Sequence, residues 1–365
     1  MSKTRYAFTP EYSVAPGEIL AETLEARQIS QAELAARCGL SEKHVSQIIT
    51  GKASITSDTA LLLERTLGVA ASLWMNLESS HRLYLARQAE QVRLEEYASW
   101  AAGFPIRELA ARGYLQPTRT DPGSVRALLG FFGVTSPDAW EKQYAQLAVA
   151  YRGTEAFARS REAVAAWLRI GEIEASRIDT TQYDRATFRE GLQEIRGLTR
   201  LDPAHFQSRM VALCQAAGVA LVFVPELPKT RLSGATRWLS ADKAMIIQSL
   251  RYRTDDQFWL TFFHEAAHIL LHGKRTMFVD EAGAEKTAAE DEADKFAADV
   301  LIPPARYEEL LAGGTPTRAR VLEFSRAVGV APGIVVGRLQ HDGVIPFSWF
   351  RDLRRSLQFA ADLSS

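Results

Sequence analysis

The 365-residue chain is predicted to be mainly α with a small β-sheet, an α+β protein built in parts. Three observations predict this. Apolar residues recur at three- and four-residue spacing through most of the chain, with Ser, Gly and Pro marking the ends of segments. Strand patterns are nearly absent until Gly218, where short β-branched runs begin. A chain of this length also exceeds what one core usually organises, so separate domains are expected. The punctuation divides it into a helical bundle over residues 1–90, a helical linker region over 91–198 and an α+β domain with a helical tail over 199–365.

Composition narrows the class. With 47% hydrophobic and 24% charged residues the chain is that of an ordinary globular protein. No apolar run approaches the roughly 18 residues of a membrane span, so no membrane partner is expected. The first residues, MSKTRYAFTPEYSV, lack the apolar centre of a signal peptide, and Cys38 and Cys214 are too few and too far apart for a disulfide framework. A cytoplasmic, thiol-reduced protein is expected. A net charge of −1 argues against a nonspecific polyanion binder and leaves a local basic face open.

Taken in order, PGEILAETLEARQI places Ile19, Leu20, Leu24 and Ile29 on one side of a first helix. SQAELAARCG follows, with Ser30 as N-cap and Glu33 completing a capping box, and Gly39 ends it. Leu40 plugs the turn. Ser41 then caps SEKHVSQIITG, where Val45, Ile48 and Ile49 face inward while Glu42, Lys43, His44 and Gln47 face out. This is a helix-turn-helix unit. Its second helix would lie in the major groove, with Lys43, His44 and Gln47 against base edges and Gln31, Ser41 and Lys52 near phosphates. The competing reading is a small bundle that binds protein, and the acidic residues of the block favour it slightly.

From Pro16 to Arg87 the sequence resembles the XRE-type helix-turn-helix of the HigA/VapI antitoxin family. The leading PGEIL, the Q-x-x-LA-x-x-x-G-hydrophobic-S core, IITGKASIT and LGVAASLWMNLE carry the resemblance. It implies a lambda-repressor-like bundle that binds operator DNA as a homodimer and represses its own operon. A cognate toxin is a further partner that the resemblance implies, although this chain is far longer than a typical antitoxin. Glu78 departs from the family pattern, which often has Gln there.

Between Glu90 and Leu198 come PIRELAARGYL, PGSVRALLGFFGV, PDAWEKQYAQLAVAYRG and TEAFARSREAVAAWLRIGEIEASRI, all at helical period. Trp140, Tyr144 and Tyr151 are read as packing residues.

GVALVFVPEL, GATRWLS and KAMIIQSL then predict three short strands, and helical period returns with TDDQFWLTFFHEAAHILLHG. In H-E-x-x-H the histidines are four apart and share a helix face, so His264 and His268 can reach one ion with Glu265 beside its open position. Zinc lowers the pKa of bound water to about 7, and Glu265 can take its proton. A third ligand is sought in AAEDEADKFAADVLIP. Glu290 and Asp294 share a face there, Glu290 as a ligand and Asp294 as partner to the far nitrogen of a ligating histidine. Glu292 is the reserve ligand. By themselves these acids also read as a solvated face.

HEAAHILLHG and EDEADKFAADVLIP resemble the two hallmark segments of the ImmA/IrrE family of zinc metallopeptidases, over roughly Leu201 to the C-terminus. Ala266 and Ala267 are smaller than the pair usual there. The resemblance implies a gluzincin-like fold, Zn2+ held by His264, His268 and Glu290, Glu265 as general base, and a protein substrate, since some members cleave helix-turn-helix repressors. For the oxyanion, His272 and His341 are the candidates. The tail, RARVLEFSRAVGVAPGIVVGRLQHDGVIPF, reads as two or three helices that echo a helix-turn-helix and cover the substrate cleft. Two functions follow. One is a DNA-bound peptidase that cleaves itself, a partner regulator or an antitoxin. The other is a HigA-like autorepressor whose metal domain senses or dimerises without significant proteolysis.

Overall fold

The computed structural model describes residues 13–116, 121–150, 155–228, 230–273, 278–281 and 288–358. The chain forms two compact units, Met1–Glu96 and Tyr97–Ser365.

The first unit contains α1 (Pro16–Ala26), α2 (Gln31–Cys38), α3 (Glu42–Ile49), α4 (Ser57–Leu67) and α5 (Ala71–Glu96). Leu20, Leu34, Val45, Ile48, Leu63, Leu67 and Trp74 form its core, each side chain contributing roughly 1.5–3 kcal/mol by leaving water. Ile19, Ile29 and Ile49 pack around it half-buried. The PG that opens α1 has a packing reason: a Cβ at Gly17 would sit 2.4 Å from the Ile48 carbonyl oxygen, so only glycine lets α1 start against the end of α3. Gly39 takes φ 67° at the turn between α2 and α3, a conformation that favours glycine.

Local chemistry departs from expectation in two places. Ser30 Oγ accepts from the Glu33 amide at 3.1 Å, but the Glu33 carboxylate pairs with Arg37 instead of returning to Ser30. Half of the capping box forms, because an arginine one turn on competes for the acid. Glu78, the departure from the family pattern, is buried. Its two oxygens accept from the Ile55 amide at 3.1 Å and from Arg82 Nε at 2.7 Å, and Arg82 Nη2 reaches Ser54 Oγ at 3.0 Å. A carboxylate serves two donors without a surplus N–H, and so ties the segment after α3 to α5.

The second unit begins with α6 (Ala98–Ala101), α7 (Ile106–Ala111), α8 (Asp121–Phe132), α9 (Pro137–Ala150) and α10 (Glu155–Ser176). Trp140 and Tyr144 are buried and stacked, with ring centroids 5.4 Å apart; Tyr151 lies outside the described residues. These helices group with the C-terminal block. The reason lies in specific ties: Trp167 Nε1 donates to the Val224 carbonyl at 3.2 Å, and Arg112 donates to the carbonyls of Pro225 and Glu226 at 2.8 and 2.6 Å.

Next come α11 (Arg185–Leu198) and α12 (Pro203–Ala216), then a sheet of four strands where the sequence predicts three. β1 (Val219–Phe223), β2 (Leu232–Ser240) and β3 (Lys243–Gln248) match the three runs, and β4 (Phe278–Glu281) joins the edge in the order β1-β3-β2-β4. β1 runs parallel to β3, while β2 is antiparallel to both β3 and β4. Four residues offer too short a period to identify β4 from sequence.

α13 (Asp255–Leu271) packs against β2 and β3 and is buried along nearly its whole length, including Phe258, Trp259, Phe262 and Phe263. Beside it lies α14 (Ala288–Leu301), followed by α15 (Pro304–Ala312), α16 (Arg318–Val328) and α17 (Pro332–His341). The tail does turn at a left-handed Gly329 between α16 and α17. Its second helix, however, has no free face for a DNA groove, because Ile334, Val335, Val336 and Leu339 are buried. Nor does it lie over the histidines. It packs along the N-terminal half of α13, where a Cβ at Gly333 would lie 2.4 Å from Asp255 Oδ1 and one at Gly337 would lie 2.6 Å from Asp256 Oδ2. An apolar helix face gains more from a packed neighbour than from spanning an open cleft. Among the described residues no helix is long and apolar enough to cross a membrane.

Candidate metal centre and recognition helix

α13 is apolar enough to be driven into the core, and its period puts His264 and His268 side by side on one buried face with Glu265 fully buried between them. Their Nε2 atoms stand 3.0 Å apart. α14 delivers Glu290, whose Oε2 is 2.9 Å from His264 Nε2 and 3.6 Å from His268 Nε2. The three ligand atoms lie within 4.8 Å of one another, and this is the one such His/Cys/Asp/Glu group among the described residues. Two donors on a tetrahedral zinc, each about 2.1 Å from it, stand about 3.4 Å apart. The observed spacings bracket that value.

Proton placement makes the same case. His264 Nδ1 lies 2.9 Å from Asp294 Oδ1, so its proton belongs on Nδ1 and its Nε2 turns a lone pair inward. His268 has a second imidazole behind it: the Nδ1 atoms of His268 and His272 are 2.8 Å apart, and His272 Nε2 is 3.3 Å from Glu292 Oε2. If Glu292 takes the Nε2 proton of His272, the Nδ1 of His272 accepts from His268, whose Nε2 then also presents a lone pair. Two nitrogen lone pairs and a carboxylate oxygen so close together repel unless a cation sits among them.

Burial raises the Glu290 carboxyl, but when the rings are protonated, hydrogen bonds and charge from His264 and His268 outweigh it and lower the group to about 2. Burial lowers the His268 imidazole below its ordinary value, opposed by Glu290 and reinforced by His264 and His272. Both directions favour the unprotonated, ligating forms.

Glu265 is not among the converging atoms. Thr236 Oγ1, on β2, lies 2.6 Å from its Oε2 and 3.1 Å from its backbone oxygen. A Cβ at Gly234 would come within 2.5 Å of its Oε1. The strand therefore sets both oxygens of the acid.

The structure brings His264, His268, Glu290 and Asp294 together, with Glu265 beside them. It does not bring in Glu292, whose side chain is 61% exposed and engages His272. His272 stands behind His268, the two Nδ1 atoms 2.8 Å apart. His341 pairs with Asp342 at 3.0 Å at the end of α17, lines a cavity with Asp294 and is not among the converging ligands. Sequence reasoning missed Thr236, Gly234 and the supporting role of His272. For His272 the four-residue step after His268 was a usable signal; for the β2 residues there was none.

In the first unit, Lys43 and Gln47 stand on the side of α3 opposite Val45 and Ile48, and His44 flanks them half-buried. Ser41 Oγ caps α3 by accepting from the His44 amide at 3.2 Å. Gln31, at the start of α2, and Lys52, just after α3, are exposed. Their chemistry suits phosphate and base edges.

Comparison with known proteins gives two matches within the chain. Residues 20–74 match the helix-turn-helix family, and residues 220–340 match the IrrE N-terminal-like domain, a peptidase family. The HTH-type transcriptional regulator YddM of Escherichia coli K12 is 30% identical over 77 residues, which cover 21% of this chain and 82% of that protein. Virulence-associated protein I of Dichelobacter nodosus is 35% identical over 80 residues, covering 22% of this chain and 74% of that one. Among solved structures, an addiction module antidote protein of a HigA family from Coxiella burnetii is 33% identical with a TM-score of 0.21, over 23% of this chain and 91% of its own. The Pseudomonas aeruginosa antitoxin HigA, solved with the higBA promoter, is 35% identical with a TM-score of 0.22, over 23% and 94%.

Proposed function

Because the chain belongs to the helix-turn-helix family of transcriptional regulators and joins to it an IrrE N-terminal-like, peptidase-family domain, we propose that it is an operator-bound zinc endopeptidase. Its substrate is a regulatory protein: a partner repressor, an antitoxin or a second copy of itself. The observation that carries this reading is the convergence of His264, His268 and Glu290 beside a buried Glu265 held by Thr236.

The three donors would hold the ion, with Asp294 and His272 fixing the two rings. Zinc supplies Lewis acidity, polarising a peptide carbonyl and making water more acidic near neutral pH. Glu265 takes the proton from the attacking water as the new C–O bond forms. It then gives that proton to the amide nitrogen as the C–N bond breaks, so the carboxylate is regenerated. Thr236 keeps the carboxylate turned toward the water. Gly234→Ala, which pushes a methyl against Oε1, is expected to cut the cleavage rate about a hundredfold with metal content unchanged. Rate and zinc stoichiometry measured on the same preparation check this; equal loss of both would show that β2 acts on the ligands instead.

For DNA, a homodimer would place two α3 helices in successive major grooves of its own operator. The double variant Lys43→Ala, Gln47→Ala is expected to weaken operator binding about 10- to 100-fold, with a shallower salt dependence. Fluorescence anisotropy over a salt series reads both, and unchanged affinity would rule out this face as the DNA reader.

The test of the whole reading is incubation of the zinc-loaded full chain with itself and with the regulators encoded next to it, with mass spectrometry for new termini. Zinc-dependent cleavage stopped by a chelator supports it. Stoichiometric zinc and operator binding with no cleavage of any of them would favour an autorepressor whose metal domain serves as a sensor.

A further inference from the structure

One and two turns before His264, α13 turns Leu260 and Asp256 toward a cavity of ≈ 270 Å³ enclosed by α13, α14 and α17. The cavity lies behind the metal centre and shares one residue with it, Asp294, whose Oδ1 holds His264 Nδ1. The remaining apolar wall is made by Ala298, Leu301, Ile302 and Ile334.

Its polar groups are unbalanced. Arg338 and His341 are taken up by Asp342 at 2.7 and 3.0 Å and Asp294 by His264 at 2.9 Å, which leaves Asp256 and Asp299 with Lys295 as the other charged groups of the lining. Asp256 is only 4% exposed. Its Oδ2 meets Arg354 Nη1 at 3.2 Å, and its Oδ1 accepts no hydrogen bond among the described residues. Leaving a buried carboxylate oxygen without a donor is costly, and the acidic lining disfavours an anion as the occupant. The last turn of α17 also ends here, adding the partial negative charge of its carbonyls. Gly337 lets α17 approach so closely that a Cβ would clash with Asp256, and this close approach closes the floor.

We propose that this cavity binds a small aliphatic primary amine, its ammonium donating to Asp256 and its chain lying on Leu260, Ala298 and Ile334. An occupant of this kind also reaches Asp294. There its N–H groups compete with the Nδ1 proton of His264 for the same carboxylate, loosening the ring that presents Nε2 to the metal. Amine and metal then weaken each other by the same factor, as linkage requires. This coupling, unlike amine binding itself, rests on the metal reading given above.

The test is calorimetric titration of the metal-stripped full chain with n-hexylamine, using hexanoate as the matched anion. One saturable site is expected, with a Kd on the order of 0.1–1 mM for an occupant of this size. Ala298→Phe fills the cavity while every acid and every proposed ligand stays in the sequence, and is expected to weaken binding at least about tenfold. Asp256→Asn, which removes the charge and keeps the shape, serves the same purpose if the larger side chain prevents folding. No saturable site, equal binding of hexanoate, or undiminished binding in folded variants would overturn the proposal. In a chelator competition, saturating amine is expected to weaken zinc binding about fivefold in the natural chain and not in Ala298→Phe. Amine binding with unchanged zinc affinity would overturn the coupling. Failure of the amine titration in a chain that still binds one zinc overturns this inference and leaves the proposed function standing; amine binding in a chain that takes up no zinc does the reverse.

Discussion

Glu265→Gln is expected to abolish cleavage, lowering the rate by about 10²- to 10⁴-fold, while one zinc per chain is retained. The amide keeps the size of the carboxylate and still offers an oxygen to Thr236 Oγ1, which lies 2.6 Å from Oε2, so the fold around it has no reason to change. What is lost is the ability to take a proton from water. The metal should stay because Glu265 is not among the three converging donors. Single-turnover cleavage and metal analysis of the same sample decide the matter. Cleavage at the natural rate would remove Glu265 from the mechanism, and loss of zinc would make it part of the metal site.

Glu290→Ala is expected to remove the metal, and Glu292→Ala to leave it in place. Glu290 Oε2 is within 2.9 and 3.6 Å of the two Nε2 atoms, and a carboxylate there balances the charge of a cation held by the two rings. Without it, two buried histidines face each other with no carboxylate, and affinity should fall by more than the ~10–100-fold typical of losing an outer partner. Glu292 reaches His272 and not the converging donors, so its removal should cost no more than that outer-partner effect. Metal content by mass spectrometry distinguishes the variants. Retention of one zinc by Glu290→Ala would mean that another group is the third ligand. Absence of stoichiometric metal from the natural chain would reduce His264 and His268 to core residues.

How much of this was legible in the sequence depends on how far apart the interacting residues are. Ser30, Gly39 and Ser41 announce the helix-turn-helix because caps and turns act within a few residues. The His264–His268 pair follows from helical period alone, as does the shared face of Glu290 and Asp294. The second half of the capping box failed because Arg37 competes for Glu33, a choice between neighbours that no pattern ranks. The tail misled as a cover for the cleft because its apolar face identifies only that it packs, and α13 proved to be what it packs on.

By itself, then, the sequence determined most of the elements, the helix-turn-helix and a pair of histidines on one helix face with an acid between them, because each is written in residues within a few turns of one another. The tertiary structure decided which acid on α14 meets the histidines, that Thr236 and Gly234 flank the Glu265 carboxylate, and that His272 stands behind His268. It also decided that Asp256 lines a cavity. These are contacts between elements remote in sequence. They depend on sheet register and on the packing of α14 and α17 against α13, which are set only when the whole core closes.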